Sequence, residues 1–381
     1  MSSSIKMKDY GKARALFASL EEFQPMCTAV LEGIWPGRVW VDDPDNPQSA
    51  MMMSFLSGGG AAWCFLAGKS DIVEFNMYLN KTIFEEKAAG KDVGFFFFTC
   101  SPEDRGGQLE IIGNSREPIP MLRQHYVCRE LTYDPWGNQP DGYTILPMES
   151  ELLERDELQI PSQVKNTLEK WGTIENERFQ DYGFVVEYKN QIVAWATVDF
   201  VTSGSGDLGF ETLPDFQQRG LGSGVAAAAL EHGLERGVKI HWTCATDNIG
   251  SQKSAKKLGL VCEQEYTMYL FALDTAEHLA QLAYSFLARG QHRQAIESYE
   301  QLFAQKEVIP SWAYFDTAQA WAALEESKKA IHYLRMAAEH GWSAVDETEQ
   351  TPEFHILHNS PDWGSVIEQI RTNKTLLHHK E

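Results

Sequence analysis

The sequence predicts a mixed α/β protein followed by an all-helical segment. Over residues 151–273, strand-like runs alternate with helical patterns, and a less regular version of the same order occupies residues 1–150. Over residues 274–381, strand-like alternation disappears and apolar residues recur at helical spacing. The length of 381 residues, at about 150 residues per domain, also favours two or three domains. We therefore predict three, with these ranges as their bounds.

The composition is that of a water-soluble protein, with 43% hydrophobic and 23% charged residues. The 54 acidic residues outnumber the 33 basic residues evenly along the chain, which gives a net charge of −21. This balance disfavours nucleic acid and anionic membranes as partners. It favours cationic ligands, although solubility alone explains the charge equally well. No run approaches the roughly 18 to 20 apolar residues of a membrane span, so we expect no membrane association.

The cysteine pattern indicates a reducing, cytoplasmic setting and no metal. The six cysteines include no CxxC pair, so neither a zinc site nor a disulfide scaffold is expected. Most histidines fall in the last segment, where we interpret them as parts of solvated helix faces. The first 20 residues lack the apolar core of a signal peptide, and we interpret them as an amphipathic helix.

In residues 1–150 the patterns are weaker. They predict helices at Lys8–Phe23 and Asp71–Ala89, and strands at Arg38–Val41, Met51–Leu56, Trp63–Ala67, Val93–Thr99 and Tyr126–Tyr133. The polar, turn-rich stretch Asp134–Asp141 is the expected interdomain linker.

Residues 151–273 are more legible. They predict a helix at Ser162–Trp171, an antiparallel meander of strands at Gly183–Tyr188, Ile192–Val201 and Asp207–Leu213, and a helix from Gly220 to Arg236 that ends at Gly237. A strand at Val238–Cys244, a helix at Asn248–Gly259 and a strand at Leu260–Leu273 follow.

The strongest chemical feature is the stretch Gln217-Gln218-Arg219-Gly220-Leu221-Gly222-Ser223-Gly224 between a strand and a helix. Glycines there let successive amides turn toward one point, and the first-turn N–H groups favour a phosphate or pyrophosphate. The alternative is a flexible turn that only starts the helix. A dinucleotide fingerprint also fits formally, with Asp247 downstream. We disfavour it because the polar residues 214–219 separate the glycines from the strand.

Residues 274–381 contain two stretches that align at an offset of 35 residues. Small and large apolar positions correspond along both copies: Leu279, Ala283, Phe286, Gly290, Ala295, Tyr299 and Leu302 match Tyr314, Ala318, Trp321, Glu325, Ala330, Leu334 and Ala337. The pattern is tetratricopeptide-like, with the glycine between helices lost from the second copy. Two repeats are fewer than a free-standing solenoid needs, so we expect this segment to dock on the rest of the chain. A capping helix pair is expected after Trp342.

The segment around the glycine-rich stretch resembles the acetyl-CoA loop of the GNAT N-acetyltransferases, whose signature is [RQ]-x-x-G-x-[GA]. Gln217, Gly220 and Gly222 match that signature. Further on, Asn248 and the helix ending in Lys257-Leu258-Gly259-Leu260 are similar to the second signature of the family. Both segments also resemble the corresponding segments of a bacterial branch that includes zwittermicin-resistance-type acetyltransferases. In that branch the first half is a degenerate GNAT-like domain, which the resemblance implies for residues 1–150.

The resemblance implies acetyl-CoA as co-substrate and a set of residues that hold it. Backbone amides from Gln218 to Ser223 would bind the pyrophosphate, the strand at Glu211–Leu213 would receive pantetheine, and Asn248 would contact the pantetheine arm. Asn248 could equally be the cap of its helix, and both roles can hold together. The complete implied set is Thr212, Leu213, Gln217, Gln218, Arg219, Gly220, Leu221, Gly222, Ser223, Asn248 and Ser251.

An alkyl ammonium must lose a proton before it attacks a thioester. Glu211 is the first candidate base, with Asp199 and Asp207 behind it, although Glu211 could instead pair with Arg219. Many members of the family carry a tyrosine at the position of Ala255 to protonate the departing thiolate. Here the neighbouring Ser254 is the candidate acid. Tyr266 and Tyr269 are substitutes on the next strand or, alternatively, packing residues.

The predicted function is acetyl-CoA-dependent N-acetylation of a small amine, expected to be cationic. The helical repeats would then serve as a docking or dimerisation module for a protein, a peptide or a second copy. The alternative is a non-catalytic module that senses CoA or binds a partner through its repeats.

Overall fold

The computed structural model describes residues 3–55, 60–85, 90, 92–103, 105, 107–137, 139–173, 182–202, 204–305 and 308–378. The chain forms two compact units. Unit 1 comprises Met1–Arg116 and Pro120–Leu270, and unit 2 comprises Glu117–Ile119 and Phe271–Glu381. In the part of the chain that the structure describes, no helix is both long and apolar enough to cross a membrane.

The strands are β1 Ser3–Ile5, β2 Arg38–Val41, β3 Ser49–Phe55, β4 Ala61–Gly68, β5 Phe95–Ser101, β6 Ile119–Cys128, β7 Thr144–Pro147, β8 Gly183–Tyr188, β9 Gln191–Asp199, β10 Ser205–Thr212, β11 Lys239–Ala245 and β12 Leu260–Ala272. The helices of unit 1 are α1 Gly11–Arg14, α2 Ala18–Glu21, α3 Pro25–Leu31, α4 Val73–Asn80, α5 Gln108–Ile112, α6 Ser162–Thr173, α7 Leu221–Glu235 and α8 Ile249–Lys257. Those of unit 2 are α9 Thr275–Ala288, α10 His292–Gln305, α11 Ser311–Ala323, α12 Ser327–Glu339, α13 Val345–Gln350 and α14 Trp363–His378.

The strands form one sheet in the order β1-β2-β3-β4-β5-β12-β6-β11-β10-β9-β8-β7. Starting from one edge, the strands β1–β5 of the first half of unit 1 are followed by β12, the last strand of the second half. Starting from the other edge, the strands β7–β11 of the second half are followed by β6, the last strand of the first half. The final strands β6 and β12 are thus exchanged, with β12 beside β5 and β6 beside β11. Because each half completes the sheet of the other, the two segments predicted over residues 1–273 pack as one unit.

The two halves also repeat the same pairing. In each, a three-stranded antiparallel meander, β2-β3-β4 or β8-β9-β10, leads through a helix to a parallel strand. The parallel pairs differ in length. β4 pairs with β5 from Ala61↔Phe95 to Ala67↔Ser101, whereas β10 pairs with β11 only from Ser205↔Lys239 to Asp207↔His241.

A buried guanidinium holds the first parallel pair closed. Arg105 is 2% exposed and donates to the carbonyl oxygens of Leu66 at 2.6 Å and Gly68 at 3.0 Å on β4. It also donates to the Ser101 carbonyl at the end of β5. Since one cation satisfies carbonyls of both strands, it ties their ends together.

Each face of the sheet carries its own core. One core joins α3 and β2–β4 with side chains of the second half, as where Trp35 meets Phe200 edge-to-face at 4.8 Å. The other core packs α7 against β8–β11 through Val225, Leu230 and Phe210. A strand alternates its side chains between the two faces, so neighbouring residues of β6 or β10 lie on opposite sides of the sheet.

The predicted elements of residues 151–273 agree with the structure to within a few residues, but three differences matter in the first half. β6 begins at Ile119 rather than Tyr126, because its polar residues find partners inside the sheet. The stretch Lys8–Phe23 folds as short helical turns rather than one helix. The helix predicted to reach Ala89 has its α-helical part end at Asn80, a π-turn continues to Glu85, and residues 86–89 lie outside the described residues.

In unit 2, the helices α9 and α10 and the helices α11 and α12 pack as successive pairs. The apolar positions of the predicted repeat are buried, apart from the partly buried Trp321, and all of them except Phe286 and Ala295 belong to one core. The turn within each pair has the same backbone conformation, with φ of 71° at Gly290 and 62° at Glu325. Each residue donates its N–H three residues back, Gly290 to Leu287 at 2.9 Å and Glu325 to Ala322 at 2.9 Å. The second copy therefore keeps a left-handed cap without its glycine.

Glu325→Gly should stabilise unit 2, because a residue with a side chain is strained at this positive φ. Removing the backbone strain should stabilise the fold by about 1 to 2 kcal/mol, and the greater backbone entropy of glycine in the unfolded chain offsets part of this. The free energy of unfolding should therefore rise by about 0.5 to 1 kcal/mol, which urea denaturation can measure. Gly290→Ala is the matched control and should destabilise. An unchanged or lower stability of Glu325→Gly would contradict the shared cap.

Candidate active site

A cavity of about 850 Å³ opens where β10 and β11 separate. Beyond Asp207↔His241, β10 stays paired with β9 as far as Thr212↔Ala194, and β11 stays paired with β6 as far as Ala245↔Arg123. The two strands are thus held apart by their outer partners. The cavity is lined by residues 208–212 of β10, residues 242–245 of β11, the start of α7, the start of α8, and Arg123 of β6.

The start of α7 forms one wall of the cavity. Gly220 has φ of 83° and Gln218 has φ of 60°, which turns the chain sharply into the helix. A Cβ atom on Gly222 would lie 2.9 Å from Thr212 Oγ1 and 3.0 Å from the Phe210 ring, so the helix approaches β10 closely at this glycine. The first amides of α7 lack acceptors within the helix and carry the positive end of its dipole, which suits an anion.

The start of α8 forms the facing wall. Asn248 Oδ1 accepts a hydrogen bond from the Ser251 amide at 3.0 Å, so Asn248 is the cap of this helix, as one of the two interpretations expected. Both Asn248 and Ser251 also line the cavity, so both can contact a ligand there.

The structure gathers most of the predicted residues around this one cavity. Those that line it are Glu211, Thr212, Gln217, Gln218, Gly220, Leu221, Gly222, Ser223, Asn248, Ser251 and Ser254.

Two predicted residues point elsewhere. The Leu213 amide donates to Val193 O at 2.9 Å, and its side chain packs on the core of the opposite face. Arg219 donates to Tyr143 Oη and to Asp215 O, both at 2.7 Å. These bonds, rather than the alternative pairing with Glu211, fix the Arg219 side chain.

The two predicted catalytic residues differ in their surroundings. Glu211 is exposed at the cavity mouth. Ser254 donates its hydroxyl to Gly250 O at 3.0 Å, within its own helix. Of the two tyrosines considered as acids, Tyr266 is buried against Phe23, with ring centroids 5.0 Å apart.

Asp207 stands at the point where the strands separate. It is the cross-strand partner of Asp199, and strand alternation places both on the face opposite Leu208 and Phe210. Its Oδ1 atom is buried and has no hydrogen-bond partner among the described residues. Burial, together with the Asp199 charge, raises the pKa of Asp207 to about 7, against an opposing effect of Arg123. A carboxyl that titrates near neutrality is suited to accept a proton.

Sequence reasoning missed the other polar groups of this face. His125 Nε2 and His241 Nδ1 lie 2.8 Å apart in a buried pair, and burial lowers the pKa of His125 to about 4 and of His241 to about 3. Arg123 lies on the same face of β6. The polar run Arg123-Gln124-His125 concealed this strand, because a half-buried strand normally alternates polar and apolar residues.

Enzymes that form amides from acyl-CoA need a slot for an extended arm and an anion site beside it, and these are the two features of this cavity. The chain belongs to the GNAT acetyltransferase family, whose sequence model matches residues 14–269. It is therefore an acetyltransferase, and enzymes of this family use acetyl-CoA. No group of histidine, cysteine and acidic side chains able to hold a metal occurs among the described residues.

Solved structures share the fold. A GCN5-related N-acetyltransferase-like protein from Streptococcus suis is 20% identical, with a TM-score of 0.50 over 69% of this chain and 98% of its own. A GCN5-related N-acetyltransferase from Sphaerobacter thermophilus is 11% identical, with a TM-score of 0.50 over 72% of this chain and 95% of its own. No curated protein sequence matches the chain.

Asp207→Asn should change how stability depends on pH. Because the pKa of Asp207 is about 7 in the folded protein and near 4 when unfolded, the folded state holds its proton more tightly. The contribution of this carboxyl to stability therefore falls as the pH rises through that window. Relative to wild type, the variant should gain up to about 3 kcal/mol between pH 4 and pH 8.

Urea denaturation across this pH range measures the difference. Asp215→Asn, which removes an exposed carboxyl outside the cavity, is the matched control. A difference between Asp207→Asn and wild type that does not vary with pH would contradict the raised pKa.

Proposed function

We propose that the chain transfers the acetyl group of acetyl-CoA to the amine of a small molecule in the cavity between β10 and β11. The observation that carries this proposal is the separation of the two strands after Asp207↔His241. From Leu208 to Thr212, β10 is paired on its β9 side and faces the cavity on the other. Backbone groups along that open edge can hydrogen-bond the amides of a pantetheine arm, as an added strand would.

The pyrophosphate would lie at the start of α7. Gln218 and residues 220–223 line this end of the cavity, and Gln218 and Gly220 have left-handed backbone conformations. Both observations support an anion site made of backbone amides. The close approach of Gly222 to Thr212 and Phe210 supports the same assignment, because it brings the helix start to the edge of the slot. Thr212, Asn248 and Ser251 would contact the pantetheine arm. Leu213 and Arg219 would act indirectly, by holding the loop.

In the reaction, the nitrogen of the neutral amine attacks the thioester carbonyl carbon, the C–N bond forms, the nitrogen releases a proton to solvent, and the C–S bond breaks. Two carboxyls are proposed to take the proton of the ammonium: Glu211, which lines the cavity, and Asp207, whose raised pKa matches the task. The departing thiolate takes a proton from solvent or from Ser254, whose hydroxyl must first leave the Gly250 carbonyl.

The first half of unit 1 is proposed to bind no acyl-CoA. Its parallel pair stays closed to Ala67↔Ser101, and Arg105 joins both strands where the second half has its cavity. Its role is to supply β6, and with it Arg123, to the sheet of the second half.

The paired helices of unit 2 support a tetratricopeptide-like module, since both copies share their buried positions and their left-handed caps. We propose that it binds a protein, a peptide or a second copy of the chain. The zwittermicin-resistance-type branch is retained as the proposed relationship of the acetyltransferase part, on the strength of the two sequence signatures.

The double variant Gly220→Asp/Gly222→Asp should lose acetyl-CoA binding, because two carboxylates would occupy the anion site. Isothermal titration of wild type should give one site per chain. Gly204→Asp, in an open turn away from the cavity, adds a carboxylate outside the anion site and should bind normally. Normal binding by the double variant would refute the loop assignment, and two sites per chain would refute the closed first half.

Thiol release from acetyl-CoA with a panel of amines should show turnover by wild type. Asp207→Asn should lower kcat about 100-fold and remove an acidic limb of the pH–rate profile near pH 7. Glu211→Gln should keep that limb, and Asp215→Asn should resemble wild type.

If Asp207→Asn keeps the limb and Glu211→Gln loses it, Glu211 is the proton acceptor instead. If acetyl-CoA binds but no amine causes release, and Glu211→Gln has no effect, the chain senses CoA without turnover.

A further inference from the structure

We propose that Arg123 selects the acceptor, and that the acceptor is an amine that also carries a carboxylate. This inference rests on the proposed function and revises the expectation of a purely cationic acceptor. It assigns to β6, a strand of the first half, the residue that determines specificity in the second.

Arg123 lines the cavity from the strand next to β11. Its register partner is Ala245, and its Nη2 donates to Thr243 Oγ1 at 3.1 Å. It also lies close enough to Tyr266 to oppose the rise in the pKa of that phenol that burial causes. Its Nε atom is buried and has no hydrogen-bond partner among the described residues. Part of its donor fork is therefore unused.

The charges around the cavity favour an anionic group at this point. Among the described residues that line it, Arg123 is the only lysine or arginine and Glu211 the only acid. Asp207 is near enough for Arg123 to lower its pKa, yet that pKa remains about 7, so Asp207 does not act as a fully charged counter-ion. A half-buried guanidinium with an unused N–H gains most from a carboxylate, which accepts two parallel hydrogen bonds.

The position of Arg123 assigns this anion to the acceptor rather than to CoA. Tyr126 and Cys128 of β6 belong to the core under α7, so alternation places Arg123 and His125 on the opposite face. The phosphate-binding amides lie at the start of α7, whereas Arg123 shares its face with Asp207 and Glu211. An acceptor held there would direct its amine to the carboxyls and its carboxylate to Arg123.

Matched acceptors test this assignment. Each pair would be a primary amine and its carboxylated counterpart, namely propylamine with 3-aminopropanoate and butylamine with 4-aminobutanoate, with 1,4-diaminobutane as the purely cationic member. Wild type should prefer the carboxylated member by about 30-fold or more in kcat/KM. Arg123→Gln should remove that preference through KM, because only the carboxylated members lose a partner, and should leave acetyl-CoA binding within about threefold. Arg123→Lys should restore it in part.

Arg129→Gln is the matched control, because Arg129 is exposed just beyond β6 and pairs with Glu263 at 2.7 Å. It should keep the wild-type preference. Equal use of both members, better use of the diamine, or a preference that survives in Arg123→Gln would overturn the role of Arg123. Turnover of no acceptor despite normal acetyl-CoA binding would overturn the proposed transfer reaction and this inference with it. Loss of acetyl-CoA binding by wild type would instead refute the cavity assignment.

Discussion

The separation of β10 from β11 is the constraint on which the active site depends. Two parallel strands part at little cost only if each keeps a partner on its outer side. β10 keeps β9, and β11 keeps β6, a strand contributed by the other half of the unit. The exchange of β6 and β12 therefore does more than join the halves, because it lets the slot open without leaving β11 unpaired.

The two halves of unit 1 share one arrangement of strands, but the parallel strands separate in only one of them. In the second half, the open strands, the close approach of Gly222 and the start of α7 create a polar cavity. In the first half, the strands remain paired and the Arg105 guanidinium satisfies the carbonyls at their ends. The two halves thus differ in that one has a cavity between its parallel strands and the other does not. The first half supplies Arg123 to the lining of that cavity.

Local signals made the second half predictable. The glycines of the loop, the cap at Asn248 and the alternation of β8–β10 are properties of neighbouring residues, and they placed eleven predicted residues on one cavity. Arg123 and His125 meet their partners Thr243 and His241 only through strand exchange, which joins residues 120 and 116 positions apart. The raised pKa of Asp207 depends on burial, which the local sequence does not reveal. Leu213 and Arg219 belong to the implied binding set but point away from the cavity, because backbone and side-chain hydrogen bonds to Val193 and Tyr143 fix them. Because the second copy has Glu325 where a glycine was expected, its sequence does not indicate the left-handed helix cap that its backbone forms.

Hydrogen exchange in the presence of acetyl-CoA tests the central claim most directly. If acetyl-CoA lies between the separated strands, the amides of residues 208–212 and 218–223 should exchange more slowly in the complex, because the ligand would occupy the open edge of β10 and the start of α7. The closed pair formed by β4 and β5 should show no change. Protection of β4 and β5 with none at β10 and α7 would contradict the account.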